Sequence, residues 1–400
     1  MSDAYKPLFN RTYLRILVWG SAIAVLFLAT LGDDQPDYLT LESDKQTPVY
    51  WVDYESASTE LTLLLPTGSA LSTGEKIQQS LLSLVLESQL SAVQLPPAIT
   101  WQIQKSADHL ALTFSGKTLD GLPDWTKLLS ALNQPVDAAD WHRLAEKFKA
   151  RIYLQSHQVD NKLLAAYFKQ LSGGDLADPL SRLSNRYQSM LSRVRFFLSG
   201  EEVEELAETL IDQLPKNQPT ALPLRMLNIT ATQKSLPFTN DSRYHLLIGG
   251  PVPARTNALF AAHRLAAHSL QIALNQQAQQ QGFEYRMLWS SLQDAGYQAL
   301  LLHSDLPLAN QLQAINNKLS PELVTQSREQ LITQWQTRMS EEGNQVEALK
   351  VVAFYGLPDD TLKQYPQQLR ALSIEQVLQI AQQSIQPDQQ IRIQLTANPK

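Results

Sequence analysis

The chain of 400 residues contains no cysteine. Disulfides, thiolate nucleophiles and cysteine-based zinc sites are therefore excluded, while the redox compartment stays open. Also missing is any block of lysines or arginines, and the formal net charge is -6. Neutralising phosphates needs clustered cations, so no nucleic acid is expected as a partner. No G-x-S-x-G occurs, and no histidine lies close in sequence to Ser83 or Ser88, which argues against a serine hydrolase. Residues 172–175 read SGGD, too short for a phosphate loop and without its lysine; they suit a helix C-cap. The seven tryptophans are scattered, as for packing rather than for a base-stacking platform.

What is present is enough apolar material for one large core or several small ones: 44% of residues are apolar and 18% charged. Residues 13–31, YLRILVWGSAIAVLFLATL, are interrupted only by Arg15 and approach the roughly 20 residues needed to cross a bilayer. Lys6, Arg11 and Arg15 precede or open this run, and Asp33, Asp34 and Asp37 follow it. The positive-inside rule then expects a cytoplasmic N-terminus and an exported remainder. A cleaved signal peptide has the same signature, but no clean A-x-A site follows, so an uncleaved anchor is expected.

Past that run the chain says similar things twice. LTLLLPTG (61–68) precedes a helical pattern, then ITWQIQ (99–104), a turn and HLALTFSG (109–116). YHLLIGGP (244–251) precedes another helical pattern, then EYRMLWSS (284–291), a turn and YQALLLHSD (297–305). Each copy continues with helical periodicity and closes on a strand, VRFFLSG (194–200) or IRIQLTA (391–397). Strand runs separated by long helical stretches predict two α+β lobes. Between them residues 215–240, rich in Pro, Thr, Asn and Gln, read as a linker.

This ordered set resembles the insulinase/pitrilysin family of zinc metallopeptidases, in its short two-lobe branch that includes processing-peptidase subunits. QQQGFEYRMLWSS, SPELVTQSREQLITQW, VVAFYGLPDDTLKQYPQQLRALSIEQVLQIAQQSI and VRFFLSGEEVEELAETLIDQLP carry the resemblance, which spans roughly residues 48–400. With the apolar run at 13–31 it gives the expected fold class, α+β: a transmembrane helix followed by two duplicated lobes, which the resemblance implies form one half of a metallopeptidase-like clamshell. The expected domains are 1–35 (tail and anchor), 45–214 (first lobe), 215–240 (linker) and 241–400 (second lobe).

Active members of the family carry HxxEH on the first helix of the first lobe, two imidazoles one turn apart binding zinc beside a general-base glutamate. Laid on this sequence the motif falls on Leu84, Val85, Leu86, Glu87 and Ser88. Both histidine positions are lost and only the glutamate is kept. The distal glutamate ligand, seventy-odd residues further on in the family, also has no counterpart: between Lys147 and Gly200 no glutamate occurs, although Asp160, Asp175 and Asp178 do. Of the seven histidines, His109, His142, His157, His245, His263, His268 and His303, only His263 and His268 are close in sequence, and five helical residues leave their rings about 140° apart. The substrate clamp of the family, an arginine and a tyrosine seven residues later, falls on Ala278 and Tyr285.

No catalytic residue, no metal site and no cofactor are therefore expected, zinc included; Leu84, Glu87 and Ser88 are vestigial positions, and Tyr285 is at most a substrate-binding residue. The resemblance implies a non-catalytic subunit, and residues 13–31 are expected to attach it to a bacterial inner membrane. Its N-terminus is expected in the cytoplasm and its bulk in the periplasm, paired as a heterodimer with a catalytic zinc-peptidase sibling whose substrate chamber it helps to form. A stand-alone module binding extended peptides is the alternative, and an active zinc peptidase with unusual ligands a lesser one.

Overall fold

The computed structural model describes residues 37–119, 125–134, 138–155, 158–237 and 243–395. Two mixed sheets organise them. The first comprises β1 (Glu42–Ser43), β2 (Val49–Asp53), β3 (Thr59–Pro66), β4 (Thr100–Lys105), β5 (His109–Gly116) and β6 (Arg195–Gly200), in the order β1-β2-β6-β3-β5-β4. The second comprises β7 (Thr232–Leu236), β8 (Tyr244–Pro251), β9 (Glu284–Ser291), β10 (Gly296–Ser304) and β11 (Ile391–Leu395), in the order β7-β11-β8-β10-β9. Apart from the short β1 the orders are the same, and so are the pairings. The closing strand runs parallel to the first strand of its set and antiparallel to the next, β2-β6-β3 in one lobe and β7-β11-β8 in the other. The duplication read from the sequence is thus a duplication of topology. Strand β7 lies inside residues 215–240 and forms the edge of the second sheet.

Strand periodicity explains the layering. In β3, Leu61, Leu63 and Leu65 point into one core while Leu64 points into another; in β6, Phe196 and Leu198 face the first and Phe197 the second. Alternation with apolar residues on both faces means that both faces must be covered. The first face takes α1 (Thr73–Ser91), which presents Ile77, Leu81, Leu82, Val85, Leu86 and Leu90 at helical spacing. Ser72 and Glu75 close a capping box at its start. Gly74 is required in this first turn, because a Cβ there would sit 2.1 Å from the Leu176 carbonyl oxygen.

The opposite face of that sheet is covered from the other lobe. Val346, Leu349, Val352, Ala353 and Phe354 of α10 (Glu342–Tyr355) pack with Val52, Leu64 and Phe197. The exchange is reciprocal: Leu163, Tyr167, Phe168 and Leu171 of α4 (Val159–Leu171) pack with Leu247, Ala299, Leu301, Ile391 and Ile393 of the second sheet. The second sheet's own helix, α7 (Phe260–Gln281), covers its remaining face with Leu265, Leu270 and Leu274 against Leu246, Ile248, Leu300 and Leu302. The other helices are α2 (Trp125–Leu132), α3 (Ala138–Gln155), α5 (Leu183–Leu191), α6 (Val203–Gln213), α8 (Ala309–Lys318), α9 (Pro321–Met339), α11 (Thr361–Arg370) and α12 (Ile374–Gln383).

Hydrogen bonds cross the seam in both directions. The buried Asp108 carboxylate accepts from the Gln293 main-chain N at 2.8 Å and the Tyr355 hydroxyl at 3.1 Å. Asp294 accepts from the Ser69 main-chain N at 3.0 Å.

One expectation is corrected. Residues 13–31, on which the transmembrane helix rested, lie outside the described residues, and among the described residues no helix is long and apolar enough to cross a membrane. The fold class is corrected to two α+β lobes with no membrane-spanning helix among the described residues, which give the expected inner-membrane localisation no support. The long helices that are described, α7 and α9, each carry one apolar stripe and a polar face rich in glutamine and arginine, the pattern of a helix lying on a sheet.

Candidate functional site

Helix α1 carries residues 84–88, on which the family motif is laid, in its C-terminal half. Val85 and Leu86 are fully buried against the first sheet, Leu84 is half-buried, and Glu87 and Ser88 are exposed. A helix turning 100° per residue places positions 84, 87 and 88 side by side on its outward face, where a metal-binding motif has to be. The Glu87 main-chain carbonyl accepts from the Ser91 hydroxyl at 2.8 Å, while its carboxylate has no partner among the described residues. A leucine offers no lone pair and a neutral hydroxyl is a poor zinc ligand. The donor set of one carboxylate and one hydroxyl does not fit zinc.

The three aspartates in the region of the distal ligand are engaged elsewhere. Asp175 accepts from the Gly74 main-chain N at 2.9 Å, and Asp178 from the Leu180 main-chain N at 3.0 Å. Asp160, in the first turn of α4, lies 2.9 Å from His303 Nε2 and 3.8 Å from the Arg286 guanidinium. That contact belongs to a grouping the sequence reading missed. His245 on β8 and His303 on β10 are register partners, with their Nδ1 atoms 2.7 Å apart, so Asp160, His303 and His245 form a polar line from α4 to the second sheet. The signal was available: the two antiparallel strands YHLLIGGP and YQALLLHSD put one histidine near each end of the same ladder rung.

The remaining histidines are apart. His109 stacks on Phe354 at 4.1 Å and its Nδ1 lies 2.8 Å from Asp108. His142 is exposed on α3, and His157 lies outside the described residues. His263 and His268 are both half-buried on α7, and burial holds both below the ordinary histidine value, with the Arg264 charge adding to the effect at His268. Among the described residues no group of three histidine, aspartate or glutamate side chains is placed to hold a metal ion.

Of the clamp, Tyr285 sits half-buried on β9 with its hydroxyl donating to Asn275 of α7, and burial raises its phenol above the ordinary value. Ala278, on the same helix, packs against the second-lobe core. The tyrosine is thus tied to its own lobe.

Comparison with known proteins places this arrangement. No protein-family model and no curated protein matches the chain. Solved structures do. The chain is similar to a peptidase M16 inactive domain from Pseudomonas fluorescens, at 15% identity over 89% of this chain and 97% of that one, with a TM-score of 0.63. It is similar to a protease from Helicobacter pylori at 10% identity, 90% and 100% coverage and the same TM-score. Pitrilysin matches at 14% identity and a TM-score of 0.61 over 92% of this chain but 44% of the pitrilysin chain. The resemblance to the insulinase/pitrilysin architecture is upheld at the level of the fold.

Proposed function

We propose that this chain, which has the M16 peptidase fold, works as a non-catalytic metallopeptidase-like subunit that pairs with a catalytic zinc-peptidase sibling and helps to shape its substrate chamber. The observation that carries the reading is the outward face of α1. The first long helix of the lobe, with its apolar side against the sheet, turns Leu84, Glu87 and Ser88 outward, the positions on which the family resemblance lays two imidazoles and a general base. A general base needs a bound and polarised water within hydrogen-bond reach, and among the described residues Glu87 has neither metal donors beside it nor a partner to orient it.

A second reading has one observation in its favour. Among the described residues strand β4 pairs only with β5 and ends the first sheet, and its residues Thr100, Gln102 and Gln104 are exposed. An extended peptide can add to such an edge as a further strand without being cut.

The test is metal analysis and peptide cleavage by the purified chain, alongside capture of its cellular partners. The proposal expects no stoichiometric zinc, no chelator-sensitive cleavage, and recovery of a protein carrying intact HxxEH. Bound zinc with cleavage abolished by a chelator overturns it, and recovery of diverse unfolded peptides in place of a sibling transfers the conclusion to the second reading.

A further inference from the structure

A cavity of about 660 Å3 lies within the second lobe, between the start of α7 and helices α9, α10 and α11. That is within the usual range for small-molecule sites. Its charge is one-sided. Arg255, Arg264 and Arg338 line it, and its single carboxylate, Glu347, is already paired with Lys350 at 2.8 Å.

Arg255 is the telling residue. Its side chain is mostly buried, its Nε has no hydrogen-bond partner, and no carboxylate pairs with it among the described residues. The guanidinium instead lies over the Phe260 ring at 3.9 Å. Arg264 lies over Trp289 at 5.3 Å, and the Trp289 indole N–H is itself buried without an acceptor. Burial, with the neighbouring Arg264 charge, holds Arg255 below the ordinary arginine value, against the opposing pull of the Tyr355 and Tyr365 phenols. Proteins pair buried cations because an unpaired one is costly, and two guanidiniums sharing one cavity add repulsion. Helix α7 contributes the same sign: its first residues line the cavity and Leu259, at its N-cap, supplies no capping side chain.

The equivalent helix start in the first lobe is satisfied from within. There the start of α1 is capped by Ser72 and Glu75, and Glu75 pairs with Arg225 at 2.7 Å. The duplicated fold therefore offers the same corner twice, satisfied from within in one lobe and left cationic in the other.

We propose that this corner binds a small organic anion. Its carboxylate or phosphate is held by Arg255 and Arg264, whose forked donors suit both groups, and its apolar body lies against Trp289 and Trp335. The site is separate from the outward face of α1 and does not depend on the subunit reading.

The experiment is calorimetric titration of the full chain with 4-phenylbutyrate, phenyl phosphate and the neutral 4-phenylbutanol, each paired with a thermal-shift measurement. At least one anion binds and raises Tm, and the alcohol binds about tenfold more weakly or worse, the equivalent of one lost charge-assisted contact. Arg255→Gln and Arg264→Gln each weaken the anion about tenfold or more; Arg264→Gln alone decides if the Arg255 variant fails to fold. Preference between the two anions assigns the head group. Absence of binding by both anions, equal binding of the alcohol, or unchanged affinity in a folded arginine variant overturns the proposal.

Discussion

The two lobes share a strand order yet differ in how their borrowed helix is fastened. In the first lobe, α10 is held at its C-terminal end, where the Arg195 guanidinium donates to the carbonyls of Ala353 and Phe354 at 2.6 and 2.8 Å. A cation there also complements the helix dipole. In the second lobe, α4 is held from its middle, where the fully buried Tyr167 hydroxyl lies 2.7 and 3.2 Å from the Gln298 and Gly250 carbonyls of paired strands. One fastening uses charge at a helix end and the other a neutral hydroxyl over a sheet. Both make the same point: neither sheet has two covered faces without the other half of the chain, so the lobes form one cooperative unit rather than two independent domains.

The comparison breaks most completely by cutting the chain. Residues 38–214 and 215–400, expressed separately, are each expected to lack cooperative thermal unfolding and to bind a hydrophobic dye, because each half exposes one sheet face. Mixing or co-expressing the two restores the transition. Two cooperatively folded halves would show that the exchanged helices are dispensable. Next in size are truncations of the exchanged helices: Tyr167→Ala and Phe354→Ala each cost about 3–5 kcal/mol, as buried aromatics do, measured by denaturant unfolding. The two values should be similar, since each side chain fills the equivalent layer of the opposite lobe.

Much of this was legible in the residues. The apolar runs in LTLLLPTG and YHLLIGGP mark strands, and the recurrence of strand, helix and hairpin identifies the duplication. What covers the second face was not legible. Helical periodicity in VDNKLLAAYFKQL marks an apolar stripe but carries no address, and the partner of that stripe is a sheet some eighty residues or more further along the chain. For the same reason Asp160 could be noted as a carboxylate near the distal-ligand position but not as the neighbour of His303. The apolar run at residues 13–31 is a strong local signal that lies outside the described residues, among which no helix is long and apolar enough to cross a membrane.

Smaller substitutions sharpen the difference between the fastenings. Tyr167→Phe removes one buried hydrogen bond and costs about 1–2 kcal/mol, whereas Arg195→Met removes two charge-assisted ones and costs about 2–3 kcal/mol. A larger loss from Tyr167→Phe than from Arg195→Met would reverse the ranking. Alkali acts on both sides of the seam, because burial raises the phenols of Tyr167 on α4 and Tyr355 on α10, the latter also through Asp108. Their folded values lie above the ordinary 10.0, so the stabilisation is whole below that pH and is lost as pH rises toward the folded values. Acid acts on the second lobe through two histidines. His263 and His268 lie below the ordinary 6.5, so their contribution is whole above that pH and is lost as pH falls through their folded values. His263→Gln with His268→Gln should flatten the fall in Tm below neutrality and leave the alkaline limb unchanged.

The smallest effect is expected where the two lobes meet the question of chemistry. Glu87→Gln alters an exposed carboxylate without a partner and should move stability by no more than about 0.5 kcal/mol. Restoring the imidazoles with Leu84→His and Ser88→His places two ligands one turn apart on an outward face, enough to take up zinc weakly. It should not create a peptidase. An open catalytic site needs a third protein ligand, and the carboxylate at the start of α4, Asp160, is turned to the second sheet by His303 and Arg286. Zinc uptake without cleavage by the double variant matches this geometry. Cleavage of a peptide by it would mean that the first lobe retains a working chamber, and that its silence rests on two side chains alone.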